Sequence, residues 1–127
     1  MRDLASNIAV ITALSPAVQA ATVNGVAIDT KGFGSCAFVL TTGAIAGSGE
    51  FGAKLQESDA SGSGYTDVDP AELVGAFEED AFADATEKVS YVGHKRFVRL
   101  VLTKAAGTSI AAGAVAILGH AAERPIP

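Results

Sequence analysis

The chain has no tryptophan, one cysteine and only two histidines in its 127 residues, and each scarcity removes a class of explanation. Cys36 has no second cysteine to bridge, and its place inside the apolar run Cys36-Ala37-Phe38-Val39-Leu40 reads as a buried free thiol. His94 and His120 stand far apart, with no H-x-x-x-H or C-x-x-C spacing, so no metal site is spelled out locally. Without tryptophan, and with Tyr65 and Tyr91 the only tyrosines, the aromatic platform of a carbohydrate-binding module is poorly supplied. Positive charge is also short: 9 Lys and Arg stand against 14 Asp and Glu, a net charge of -5 that argues against non-specific phosphate binding.

Long apolar runs are missing as well. The stretch Ile8 to Leu14 falls well below the roughly 20 residues needed to span a bilayer. With the small residues after it, the stretch has the outline of a signal peptide, but Asp3 beside Arg2 and the intervening Asn7 depart from that pattern. No serine sits in a G-x-S-x-G elbow, and Gly43, Gly47, Gly49 and Gly52 match neither a dinucleotide-binding turn nor a P-loop. The polar loop Ser58 to Gly64 lacks the ligand order of a calcium loop, which leaves Asp59, Asp67 and Asp69 as solvated turn formers. No catalytic, cofactor-binding or metal-ligating set emerges.

What is present is strand-like alternation. In Tyr91 to Lys104, Val98, Leu100 and Leu102 fall on one side of an extended chain, and Phe97, Arg99, Val101 and Thr103 on the other. Glu87 to Val92 reads as its antiparallel partner, with Gly93-His94 as the break between them. Ser35 to Thr42 is a buried strand with Cys36, Phe38 and Leu40 facing one way, and Glu50 to Glu57 turns Phe51, Ala53 and Leu55 inward. Asn24-Gly25 signals either a tight hairpin or a bulge in one strand. Asp69-Pro70-Ala71-Glu72 has the residues of a helix start but reads as a short turn. Glycine-rich links at 43–49 and 105–113 join the strands, Ala114 to His120 forms the last one, and Glu78, Glu79, Asp80 and Asp84 make an acidic rim.

Seven or eight strands and no long helix define an all-β, single-domain β-sandwich, with a jelly roll as one form of it and extended arms at the termini. Residues 1–16 are expected to form an N-terminal arm or edge strand ended by Pro16, residues 17–122 the sandwich, and residues 123–127 a C-terminal tail. Phe38, Leu40, Leu55, Val98, Leu100 and Leu102 are the expected centre of the core. Lys95, Arg96 and Arg99 form a small basic stripe suited to an acidic protein face rather than to nucleic acid.

The opening MRDLASNI, the passage GAIAGSGEFGAKLQESDASGSGYTDV and the ending YVGHKRFVRLVLTKAAGTSIAAGAVAILGHAAERPIP resemble small structural proteins encoded in the head-morphogenesis regions of tailed bacteriophages. The resemblance covers nearly the whole chain. It implies a non-enzymatic virion component without cofactor, foremost a capsid decoration protein on the shell surface, made in the host cytoplasm. Its partners would be the major capsid protein and further copies of the chain, as a dimer or trimer, with no direct contact to nucleic acid or membrane. A head-to-tail connector or tail protein is the alternative within that class. The segments that carry over are the strand Lys95 to Lys104, the preceding Tyr91-Val92-Gly93, the loop 57–67 and Arg124-Pro125.

Overall fold

A computed structural model describes residues 3–121; the expected tail at 123–127, with Arg124-Pro125, lies outside them. In chain order the strands are β1 (Ala9–Gln19), β2 (Val23–Asn24), β3 (Ile28–Asp29), β4 (Phe33–Ala46), β5 (Glu50–Ser58), β6 (Thr66–Asp67), β7 (Leu73–Val74), β8 (Thr86–Tyr91), β9 (Phe97–Ala106) and β10 (Ser109–Ala121). The described helical residues are two single 3-10 turns, Ala5–Asn7 and Pro70–Glu72. The second is opened by Asp69, whose Oδ1 accepts from the Ala71 N–H at 2.9 Å, with Pro70 at a position that needs no donor.

Two antiparallel sheets pack face to face, one in the order β1-β10-β4-β8-β7 and the other in the order β2-β9-β5-β6, with β3 also on β9. The pairing follows one rule. β1 pairs with β10, β2 and β3 with β9, β4 with β8, and β5 with β6, as in a single long hairpin of four strand pairs. Rolling that hairpin up adds the contacts β10 with β4 and β9 with β5. With β2 and β3 counted as one strand and β7 as an added edge, this is the eight-stranded jelly roll.

The core lies between the sheets and is built from alternate residues. Phe38 and Leu40 from β4, Leu118 and Ala116 from β10, and Val89 from β8 meet Leu55 and Phe51 from β5 and Val98, Leu100 and Leu102 from β9. Phe38, Leu40, Leu55, Val98, Leu100 and Leu102 are all 0–2% exposed. Tyr91, on β8, sends its hydroxyl across the sandwich to donate to Glu57 Oε1 of β5 at 2.6 Å, and the phenol oxygen itself accepts from the Lys95 N–H at 3.0 Å. A buried phenol thus ties one sheet to the other, and its burial followed by the Glu57 bond pushes its pKa up.

Several local expectations change in three dimensions. β8 pairs with β4 and β7 rather than with β9, so the chain at 92–96 crosses between sheets instead of turning a hairpin. Asn24-Gly25 does not make a hairpin: β2 and β3 run along β9 in one direction as a bulged strand. The reason is Gly25, whose N–H donates to the Leu100 carbonyl while the Val26 N–H donates to that of Ala13, both at 2.7 Å. A Cβ on Gly25 would strike both carbonyl oxygens. β1 does not stop at Pro16; it continues to Gln19 through register shifts between Thr12 and Ala17, as a proline at an irregular edge allows.

β4 likewise runs on through Gly43 to Ala46. The link after it is a tight turn with Gly47 and Ser48 at φ 58 and 56. That corner packs against the turn between β9 and β10, where Gly107 has φ 81. Both turns carry the chain from one sheet to the other.

Candidate contact surfaces

The two outer faces of the sandwich differ in chemistry. On the β5–β9 sheet Lys54, Lys95, Arg96 and Arg99 are engaged within the chain. Arg96 donates through Nε and Nη2 to Asp29 Oδ1 and Oδ2 at 2.9 and 2.8 Å, a forked pair that holds the Asp29 pKa down at about 2, and its guanidinium lies 4.9 Å from the Phe97 ring. Lys95 Nζ reaches Asp59 Oδ2 at 3.0 Å. Arg99 donates through Nε and Nη2 to Gln56 Oε1 at 3.0 and 2.8 Å and stacks 4.0 Å above the Tyr65 ring. Gln56 in turn donates to Asp67, which also pairs with Lys54 at 3.1 Å.

These bonds make a polar lattice from β9 across β5 to β6, and the loop after β5 is part of it. Tyr65 Oη donates to the Ser61 carbonyl at 2.8 Å, and Ser58 Oγ donates to that of Ser63. The structure therefore brings Arg99 to the lattice, while Lys95 and Arg96 each hold a separate aspartate nearer the strand's start. Lattice and pairs are the products of cross-strand register, which single-strand periodicity does not reveal; Gln56 opposite Arg99 is the clearest instance.

The outer face of the β1–β10–β4–β8–β7 sheet is the opposite. A row of side chains crosses all five strands as Val10, Ile117, Ala37, Ser90 and Val74, and the next row reads Thr12, Val115, Val39 and Lys88. Lys88 is the single charged residue on that face among the described residues. Shallow apolar grooves lie at both ends, one beside Pro16, Val18 and Ala111 and the other beside Leu4, Ile8 and Ile117. Val10, Val18 and Val74 on this face, and Leu4 and Val92 beside the second groove, are 57–70% exposed, a concentration of large apolar groups that marks a contact surface.

Chemistry at these surfaces is sparse. Among the described residues no group of three or more His, Cys, Asp or Glu is placed to hold a metal ion. Ser35 Oγ and His120 Nδ1 are 2.9 Å apart on neighbouring strands, with His120 at φ 50. No described carboxylate bonds that imidazole, so the pair lacks the third group of a hydrolytic triad. Cys36 is buried, and burial pushes its thiol up to about 12, which makes it a packing residue.

The fold places the chain among jelly-roll β-sandwiches. Comparison with solved structures finds a likeness to a chain in the structure of infectious bursal disease virus, Gx strain, with a TM-score of 0.50 and 16% identity. It covers 93% of this chain and 34% of that one, so this chain spans about a third of its neighbour's length. At that identity the likeness is one of fold. No protein-family model matches the chain, and no curated protein matches it.

Proposed function

We propose that the chain is a structural component of a virus particle, a decoration or cement protein that binds the exterior of the major capsid shell and stabilises it. The observation that carries this reading is the jelly-roll likeness, over 93% of the chain, to a chain of a virus structure. The sequence resemblance to head-region proteins of tailed bacteriophages points the same way and supplies the phage setting. Jelly rolls also serve lectins and cupins. The lectin role is disfavoured by the lack of tryptophan, and Tyr65 is already occupied by Arg99.

The role is non-enzymatic, and the partners are the major capsid protein and further copies of the chain. The sheet face whose single described charge is Lys88 suits close packing on a shell, and many copies convert a modest contact into collective attachment. Lys95, Arg96 and Arg99 remain candidates for an acidic partner. Lys95 and Arg96 already satisfy Asp59 and Asp29, so they bind a shell only by exchanging one carboxylate for another.

The test is reconstitution of undecorated shells with wild-type protein and with a folded Arg96→Ala, Arg99→Ala variant, at low and moderate salt. Saturable binding of the wild type at many copies per shell is the expected result. Equal occupancy by both proteins at limiting concentration would remove the basic stripe from the contact. No binding by the folded wild type, together with about six or twelve copies per particle, would replace decoration by a ring-forming connector.

A further inference from the structure

Sheet edges carry unpaired backbone donors and acceptors, and proteins blunt them with charge, proline, bulges or a covering segment. β1 forms one edge of its sheet, and along its length these devices are unevenly spread. From Ala13 onward the edge is closed: the Ala13 carbonyl accepts from Val26 N–H, the register shifts at Leu14 and Ala17, and Pro16 removes a donor. On the other side the 3-10 turn Ala5–Asn7 ends at Ile8, whose φ of -134 and ψ of 154 already belong to an extended chain.

Between these limits lie the extended Ile8 and then Ala9, Val10, Ile11 and Thr12, the last four held on one side by β10 and all met on the other by no strand among the described residues. None carries charge, nor does any residue from Leu4 to Ile28. Val10 is 57% exposed and Ile11 39%.

We propose that this open stretch is a self-association edge, on which the same stretch of a second copy pairs antiparallel about a two-fold axis at Val10. Three observations select that occupant. An edge of free backbone groups requires a strand. One bounded by a turn at Asn7 and a closure at Ala13 accepts only a short strand whose own ends bend away, and β1 of a second copy has that shape. Charge supplies the third: two chains of net charge -5 repel, and a stretch with no charged residue from Leu4 to Ile28 lets them approach with least repulsion.

The register follows from the pleat. A two-fold axis normal to the sheet keeps each face on its own side, so it passes through a residue rather than between two. Centring on Val10 pairs Ile8 with Thr12 and Ala9 with Ile11 and uses no residue of the closed half. It sets the two Val10 side chains opposite each other on the outer face, each covering the other's exposed surface. The two five-stranded sheets then join into one, and their largely apolar outer faces become continuous.

The inference concerns the isolated chain and stands or falls without the shell-binding reading. The experiment is analytical ultracentrifugation of wild type and Val10→Lys over a concentration series, with circular dichroism to confirm that both fold. A second arm uses air oxidation of Val10→Cys, where the wild type, with only its buried Cys36, is the control. A wild-type dimer is expected, weakened about ten-fold or more by two opposed lysines on the axis. Val10→Cys should cross-link to a dimer, since directly opposed residues sit about 4.5–5.5 Å apart between Cα atoms, within reach of a disulfide. A monomeric wild type at all concentrations, or a dimer that Val10→Lys leaves intact and Val10→Cys does not link, would overturn the proposal.

Discussion

Replacing Tyr91 by phenylalanine removes the buried hydroxyl that joins the two sheets. The ring stays, so its packing is conserved; what goes is the donor to Glu57 Oε1 at 2.6 Å and the acceptor of the Lys95 N–H at 3.0 Å. A hydrogen bond to a charged acceptor is worth about 1.5–3 kcal/mol net. Tyr91 is only 5% exposed, so water has little room to replace the phenol oxygen, and the upper half of that range is expected near neutral pH.

Each kcal/mol moves the thermal midpoint of domains on either side of this size by about 2–8 °C, so the variant should melt roughly 5–15 °C lower. The sign of the pH dependence is fixed too. The folded phenol's pKa is raised, so its contribution is whole below the unfolded value of about 10 and is lost as pH rises beyond it. The gap between wild type and variant should therefore shrink in strong alkali. Calorimetry from neutral pH upward measures both effects, and a double-mutant cycle with Glu57→Ala should return about 1 kcal/mol or more of coupling. A loss below about 0.5 kcal/mol with no coupling would refute the bridging role.

Leu100→Ala, at a site with 0% exposure, should cost about 2–5 kcal/mol, and an unchanged urea midpoint would contradict its place in the centre of the core. Gly25→Ala should cost about 1–3 kcal/mol because its Cβ meets the Ala13 and Leu100 carbonyl oxygens from two sheets, and a neutral result in chemical denaturation would mean that the crossing is slack. Arg96→Ala should lower stability slightly at pH 7. Because the Asp29 pKa is depressed, that difference should fade as pH drops from about 4 toward 2, and an acid titration showing a constant gap would refute the forked pair.

The class of fold is legible in the sequence because alternation is a local property. Val98, Leu100 and Leu102 share a face for the same reason that Cys36, Phe38 and Leu40 do, and two such strands with glycine-rich turns and no long helix suffice for a sandwich. Partner choice is not local. Glu87 to Val92 sits next to β9 in sequence and pairs with β4 instead, because in a rolled hairpin sequence neighbours are often split between sheets. Asn24-Gly25 carried a turn signal, but its glycine serves a close approach of two carbonyls, a need that only the assembled sandwich creates. The contrast between a charged outer face and a neutral one was visible in part as the acidic and basic clusters. It becomes a surface only when Val10, Ile117, Ala37, Ser90 and Val74 are lined up by register.

The insertion of β10 between β1 and β4 also orders events during synthesis. Its sheet has a gap between β1 and β4 until β10 has left the ribosome, since β1 finds no partner there before Ser109–Ala121 arrives. A nascent chain arrested upstream of Ser109 therefore exposes both flanks of β10's future slot, the facing edges of β4 and of the charge-free β1. Closure of the sandwich is a late, long-range event of the kind that makes β proteins slow folders. The apolar strand that begins the chain must wait, unpaired and open to aggregation, for the strand near its end.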